Sequence, residues 1–547
     1  MIEAGTQTIW QAFAATASRH PDRPVFNVLR ETAVIYGIPA GELSYRQVHD
    51  SITVLEASLQ RQGYGPGYRV MLLLENRPEF FVWLLALNRI GASVVPVNPD
   101  LRHSELTYMA GHSEPSLIVG LQHRRDDLAA AAKEAGLTVE VIAPGDSVPP
   151  PGTAGPVALR SDAAGAPLDG EAMEAALLYT SGTTGSPKGC ILTNTYFLES
   201  GRWYATAGGL CALNEDGERM ITPLPIFHMN AMAYSFMAMI AVGGCLTVLD
   251  RFHPSSWWQS VGESKATCLH YLGVMPSMLM GAPVSGSDRE HSVRFGFGAG
   301  VDPKLHASFE ERFGFLLVEA WAMTETGAGA VICANQLPRR VGESCLGKPG
   351  PELDVRIIDA DNQASPNGPG ELLVRRKGSD PRRGFFSGYF KNAEATAEAW
   401  AEGWFHTGDI VRREDDGSMF FVDRKKNVIR RSGENIAAVE VESALMRHPQ
   451  VLAAAVAAVA DPVRGDEVFA CLKVEGEPGK ALATEIVGWC LGQLAYYKAP
   501  GYVAFVDALP LTSTQKIQRK ELKELADRLV QDPATVDTRS MKKRTAA

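Results

Sequence analysis

The stretch LLYTSGTTGSPKGCILTN, residues 177–194, sets the hydroxyls of Thr180, Ser181, Thr183, Thr184 and Ser186 among Gly182, Gly185 and Gly189, with a single lysine, Lys188. Glycine lets backbone N–H groups come close to a ligand. Amide and hydroxyl donors gathered in a turn make a cradle for anions, and a lysine adds positive charge. The composition therefore suits phosphate oxygens. The order Gly182-x-x-Gly185-x-x-Lys188 is not the G-x-x-x-x-G-K of a Walker A loop. A Ser/Thr/Gly linker has the same residue types. Linkers seldom lie between segments such as AALLY and CILTN, however, which read as a buried strand and then a helix or strand.

Outward from this stretch the pattern is α/β. YRVMLLL (68–74), the helical PEFFVWLLALNRIG and SVVPVN (93–98) form a β-α-β unit, which implies a parallel sheet with covering helices. SLIVG (116–120), EVIA (140–143), CLTVL (245–249) and FLLVEA (315–320) continue it. Between Pro144 and Gly170 a Pro/Gly/Ala-rich run reads as a surface loop. ELDVRIID (352–359) and GELLVRR (370–376) read as a separate antiparallel region. After Asp423 the texture changes. The basic RKKNVIRRS leads into a helix, two strands and a helix, a small α+β domain of about 120 residues. The expected division is 1–425 and 426–547, and the tail QDPATVDTRSMKKRTAA reads as loose.

Bulk properties narrow the class. At 547 residues, 45% apolar and 21% charged, the chain is an ordinary globular protein of several domains. Its net charge of −10 argues against generic nucleic-acid binding. From Arg424 onward 19 Lys and Arg face 15 Asp and Glu, a balance that fits either an anionic ligand or ordinary surface variation. The eight cysteines are too scattered for a zinc or CxxC site and fit a reducing compartment. The start MIEAGTQTIW lacks a basic region ahead of an apolar run, so it is not a secretion signal, and a cytoplasmic location is expected. Residues 220–249 carry no charge, but Pro223, Pro225, His228 and Asn230 interrupt one end and Gly243-Gly244 the other. That pattern implies a loop, a buried helix over about 230–242 and a strand, with no transmembrane segment.

TSGTTGSPKG resembles the phosphate-binding signature of the adenylate-forming superfamily, which holds acyl-CoA synthetases, luciferases and peptide-synthetase adenylation domains. Further motifs are similar to that family's others, in the same order. AWAMTETG (320–327) implies Thr324 on the α-phosphate and Glu325 on Mg²⁺, with Thr184 as a second metal candidate. Trp321 stands where the family usually has an adenine-stacking tyrosine, and Ala322 replaces the usual glycine. GWFHTGD (403–409) implies Asp409 on the ribose hydroxyls. DRKKNVIRRSGENI (423–436) implies Arg424 on ribose or phosphate, Lys426 as hinge, and Gly433 with Glu434 on the thiol's approach. PLTSTQKIQRKEL (510–522) implies Lys516 as the adenylation lysine, preceded by Gln515 where the family usually has glycine. GFGAG (296–300), with Gly298 and Ala299, resembles the strand-turn between adenine and acyl group, and Glu319 and Ala320 join that nucleotide wall. Taken singly, each motif also fits a helix cap, a turn aspartate or a basic linker.

The resemblance implies a large α/β adenylating domain, made of two α/β subdomains and a small β-barrel-like region, with a small mobile α+β C-terminal domain. It implies ATP, Mg²⁺, coenzyme A and a carboxylic acid as reactants, and an acyl-CoA ligase as the activity. Loading a separate carrier protein, or nucleotide binding without catalysis, are the alternatives; a homodimer is left open. The acyl pocket is expected at His228, Met229, Gly273, Gly298 and Met323, with His228 as a gate that joins the catalytic set. Eight methionines between Met220 and Met280 fit either a permissive pocket or ordinary core. No acid follows Phe227-His228-Met229-Asn230, which weakens an amino-acid substrate. The closest pattern is a loose likeness to carnitine/crotonobetaine-type ligases. Such a quaternary ammonium wants an aromatic cage, for which Trp257 and Trp258 are candidates by type.

Overall fold

A computed structural model of the chain describes residues 1–156, 170–180, 187–359, 361–424, 428–510 and 517–544, without the side chains of residues 423, 424 and 428. Half of the loop expected between 144 and 170 therefore lies outside the described residues.

The β-α-β unit nucleates a seven-stranded sheet. Arg69–Leu73 lies parallel to both Ser93–Pro96 and Leu117–Gly120. The crossover helix Pro78–Arg89 starts with proline at its first turn, where no N–H is needed. It packs on the sheet on one side and on the helices Ile9–Arg19 and Tyr45–Arg61 on the other, so it is apolar all round. The opening stretch is a hairpin in this sheet. Glu174–Thr180 and Lys188–Thr193 pair antiparallel with Thr180 opposite Lys188; the turn, residues 181–186, lies outside the described residues.

A second, thirteen-stranded sheet holds the parallel strands Arg219–Thr222, Cys245–Val248, Cys268–Leu272, Phe295–Ala299 and Leu316–Trp321. The antiparallel strands expected to stand apart instead continue it. Leu316–Trp321 pairs with Ile332–Cys333, which pairs with Cys345–Pro349, which leads to Met419–Arg424 and its neighbours. The two linking strands are too short to carry a period-2 signal. The uncharged segment also differs in detail. Asn230–Ser235 winds as a π-helix before the α-helix Phe236–Val242, and Gly243 ends it at φ 63°. No helix among the described residues is long and apolar enough to cross a membrane.

From residue 428 onward the strands form their own six-stranded sheet, over a core that includes Ile429, Val441, Val456, Leu472, Ile486 and Val503. The tail is not loose. Val536–Asp537 adds a strand beside Tyr502–Phe505. The Lys542 ammonium is buried on the Glu467 carboxylate, which also pairs with Arg431 at 2.8 Å. Arg544 reaches Asp100 across the domains at 2.9 Å. The tail lacks apolar periodicity, so its anchor, a buried carboxylate far away in sequence, leaves no local trace.

The two parts meet through charge as well. Lys498, fully buried, donates to Glu105 Oε1 at 2.6 Å and to Glu440 Oε1 at 2.7 Å. Burial alone pushes this ammonium down, but the carboxylates of Glu440 and Glu105 outweigh it and hold the pKa well up. Glu105 Oε2 also accepts from the Ala495 N–H, and Asn98 Nδ2 donates to Tyr497 Oη, both at 2.9 Å.

Candidate active site

A cavity of about 970 Å³ opens at the C-terminal ends of the parallel strands, where strand order in α/β sheets leaves room for ligands. The hairpin contributes Thr180 and Lys188 to its wall; the turn after Leu316–Trp321 contributes Ala322, Met323, Thr324 and Glu325. His228, Met229, Gly273, Gly298, Ala299 and Ala320 complete the expected N-terminal set found there. Glycine is required at two of these points. A Cβ on Gly298 collides with the Tyr271 carbonyl, and one on Gly273 with the Gly300 carbonyl.

Lys188, Tyr389 and Glu325 form one chain of contacts. The lysine Nζ sits 4.9 Å over the Tyr389 ring, and the phenol donates to Glu325 Oε1 at 2.9 Å. Burial, then the Glu325 charge, push the phenol far up, so it remains a neutral donor. Tyr389 has no signal in the sequence: a tyrosine in SGYFKN belongs to no spacing pattern, and only tertiary structure brings it to Glu325. The donor set fits a magnesium ion carried on a nucleotide. Glu325 is a buried carboxylate, and no group of three His, Cys, Asp or Glu that could hold a metal occurs among the described residues. Mg²⁺ takes one or two protein carboxylates and fills the rest with water and phosphate oxygens.

Asp409 is buried at the strand Phe405–Arg413, opposite the backbone of Arg424. Its Oδ2 accepts from Trp321 Nε1 at 2.8 Å. Trp321 is thus buried as a partner of the aspartate and is not among the cavity-lining residues, whereas Ala320 and Ala322, on the opposite face of the chain, are. Glu319 is likewise a framework group. It accepts from the N–H of Gly300 at 2.9 Å and of Val301 at 3.1 Å, fixing the turn after GFGAG, and burial raises its carboxyl above the ordinary range.

The C-terminal domain closes the other side. Arg430, Gly433, Asn435 and the turn Asp461–Gly465 line the same cavity. Gly433, at φ +90°, lies so close to Leu272 that a Cβ there meets Leu272 Cδ1. Glu434 Oε2 stands 3.4 Å from His228 Nε2. Arg430 and Asn435 fall within the motif 423–436 without a role of their own there, and residues 461–465 carry no motif in the sequence. Ser181, Gly182, Thr183, Thr184, Gly185, Lys426 and Lys516 lie outside the described residues, as does the Arg424 side chain.

Two expectations about the acyl pocket change. Of the eight clustered methionines only Met229 lines the cavity; Met232, Met237 and Met239 are core. Trp257 packs on Phe252, and Trp258 stacks on Phe313 at 4.5 Å, so neither belongs to a cage at the cavity.

The fold is shared with solved structures. An o-succinylbenzoate CoA synthetase from Bacillus subtilis superposes with a TM-score of 0.78 at 22% identity, covering 95% of this chain and 98% of that one. An amide bond synthetase from Marinactinospora thermotolerans gives 0.76 at 23% identity, covering 94% and 99%. These likenesses define the fold class, a large α/β domain with a smaller C-terminal domain. The AMP-binding enzyme family model matches residues 13–390, and the AMP-binding enzyme C-terminal domain model matches residues 440–516. A sulfoacetate–CoA ligase from Cupriavidus necator is 30% identical over 524 residues, 94% of this chain and 97% of that protein. A crotonobetaine/carnitine–CoA ligase from Proteus mirabilis is 29% identical over 515 residues, 90% and 96%. The chain belongs to the AMP-binding enzyme family.

Proposed function

We propose that the chain is an AMP-forming acyl-CoA ligase. A carboxylate oxygen attacks the α-phosphorus of ATP, the bond to the bridging oxygen breaks, and pyrophosphate leaves. The thiolate of coenzyme A then attacks the acyl carbon, the carbon–oxygen bond to phosphate breaks, and AMP leaves. The observation that carries this reading is the convergence of Thr180, Lys188, Thr324, Glu325 and Gly433, from both domains, on one cavity.

The first step brings an anion to a polyanion, so fixed positive charge and aimed donors lower its barrier. Lys516 bridges the substrate carboxylate and the α-phosphate, and Thr324 holds that phosphate. The hydroxyl-rich sequence 180–186 and Lys188 attend the departing pyrophosphate. Glu325, oriented by Tyr389, would hold the magnesium ion of the nucleotide, which would shield phosphate charge. Asp409 takes the ribose hydroxyls. For the second step the C-terminal domain turns about Lys426 and brings Gly433 and Glu434 to the thiol path, the disposition these residues have beside Leu272 and His228. The sulfoacetate–CoA and crotonobetaine/carnitine–CoA ligases share a CoA ligase name and differ in the acid, so they support the reaction and not a substrate.

The test is AMP release over a panel of short, medium, aromatic and branched acids, with and without coenzyme A. CoA-dependent AMP release with a thioester product is expected. AMP formation indifferent to coenzyme A for every acid refutes the ligase reading.

A further inference from the structure

His270 lies at the centre of the strand Cys268–Leu272 with no exposed surface, its ring packed by Tyr204 and Phe297. Three polar groups surround it. Tyr204 Oη is 3.0 Å from Nε2; Asn230 Oδ1 and Ser235 Oγ are 2.6 and 2.8 Å from Nδ1. Asn230 and Ser235 are five apart. An α-helix turns positions i and i+5 away from each other, whereas the i→i+5 winding of a π-helix brings both onto one side. The π-turn is thus the device that lets residues 230 and 235 share one histidine.

Proton counting fixes the network. Burial holds the imidazole at about 3, so it is neutral and has one N–H. The Tyr204 hydroxyl has no other acceptor among the described residues, so it donates to Nε2. The ring proton is then on Nδ1 and goes to Asn230 Oδ1, while the Ser235 hydroxyl donates to the Asn230 carbonyl at 3.3 Å. The carboxamide oxygen of Asn230 is therefore turned to His270 and its NH₂ is turned the other way. Asn230 lines the cavity beside Met229, and that NH₂ has no hydrogen-bond partner among the described residues. Four residues on, Tyr234 also forms part of the cavity wall. It is 2% exposed, and its hydroxyl has no partner among the described residues. The Tyr234 hydroxyl is a buried donor left unmade, which costs free energy that a ligand acceptor recovers, while the half-buried Asn230 NH₂ is open to the cavity. Among the described residues, the only lysine or arginine that the N-terminal domain gives to the cavity is Lys188, held over Tyr389 at the phosphate end.

We infer that Asn230, aimed by the His270 network and seconded by Tyr234, is a specificity determinant that selects carboxylic acids bearing a neutral hydrogen-bond acceptor, an oxo or hydroxy group, on the acyl chain. Unsubstituted fatty acids leave both donors unfilled. Acids with a second anionic group find no cation in that wall. The inference rests on the ligase reading above.

The experiment compares kcat/KM for thioester formation by the full chain across saturated straight-chain acids, their oxo and hydroxy counterparts of equal length, and dicarboxylates. One unmet neutral hydrogen bond is about 1–3 kcal/mol, so the best oxo acid should exceed its unsubstituted partner by roughly 10–100-fold. In Asn230→Leu the oxo-to-unsubstituted ratio should fall toward one. In Asn230→Asp, which turns the donor into an acceptor, oxo acids should lose more than hydroxy acids, because only a hydroxyl can donate back. If the wild-type chain prefers unsubstituted acids or dicarboxylates, the inference fails with no variant needed, and the ligase reading survives. If both variants fold and keep the wild-type ratio, Asn230 is not the determinant. If no acid gives a CoA thioester, the ligase reading itself falls and takes the inference with it.

Discussion

Glu105→Gln tests what holds the two domains in the arrangement described. The substitution keeps the shape of the side chain and removes its charge. Glu105 Oε1 accepts from the Lys498 ammonium and Oε2 from the Ala495 N–H, both belonging to the C-terminal domain. A carboxamide has one oxygen, so one of these donors must face an NH₂ group. Lys498 keeps Glu440 and is not left as a lone buried charge, which would cost more. The loss is then that of one hydrogen bond to a charged group, about 1.5–3 kcal/mol, or roughly a 10–150-fold shift in the docking equilibrium. Glu105–Lys498 exists only when the domains are docked this way, so the whole loss falls on that arrangement. Single-turnover quench-flow separates the half-reactions: pyrophosphate release from acid and ATP, and thioester formation from supplied acyl-adenylate. The second should slow by about 10-fold or more, and the first should hold its rate. The pair is buried, so high salt should not mask the difference. Equal slowing of both half-reactions, or a normal thioester rate, would refute the idea that this contact supports the thiol step.

Lys516→Ala should abolish pyrophosphate release while retaining thioester formation from supplied acyl-adenylate; parallel losses contradict its assignment. Gly433→Ala combines a left-handed backbone, about 1–3 kcal/mol for a residue with a Cβ, with contact against Leu272 Cδ1. It should slow thioester formation at least several-fold and spare adenylation, and full thioester activity would exclude close approach there. Stability should depend on pH through His270. The unfolded chain takes up a proton near 6.5 and the folded chain only near 3, so stability is complete above 6.5 and is lost as pH falls toward 3, by up to about 1.4 kcal/mol per pH unit. Urea midpoints at pH 7, 6, 5 and 4 should fall more steeply for the wild type than for His270→Phe; superimposable slopes would remove His270 as the cause.

The parallel framework was readable because its signals are local. Pro78–Arg89 is long, apolar and flanked by β-rich runs, and Glu174–Thr180 stands out as an apolar run beside a glycine turn. The nucleotide side of the cavity was readable for a different reason: phosphate chemistry needs small, hydroxylated and charged residues clustered in sequence, as at Thr180–Lys188 and Thr324–Glu325. The acyl side was readable only in part: His228, Met229, Gly273, Gly298 and Met323 line the cavity as expected, but the network behind them left no signal. Asn230, Ser235 and His270 act through a π-turn, and the same residues fit an α-helical pattern equally well until the sheet supplies the imidazole. Tyr389 and Lys542 matter through partners at positions 325 and 467, and separations of that length leave no periodic mark. The methionine cluster stayed ambiguous for a related reason, since thioether side chains suit core and pocket alike.

The chamber has one half made by strand ends of the large sheet and one half made by the smaller domain, the two meeting at points such as Leu272 with Gly433. In the proposed reaction, preference for a given acid is written in the first half. A lineage can change its diet through segments 228–234 and 297–300 while the second half, with the common chemistry it serves, is inherited unaltered.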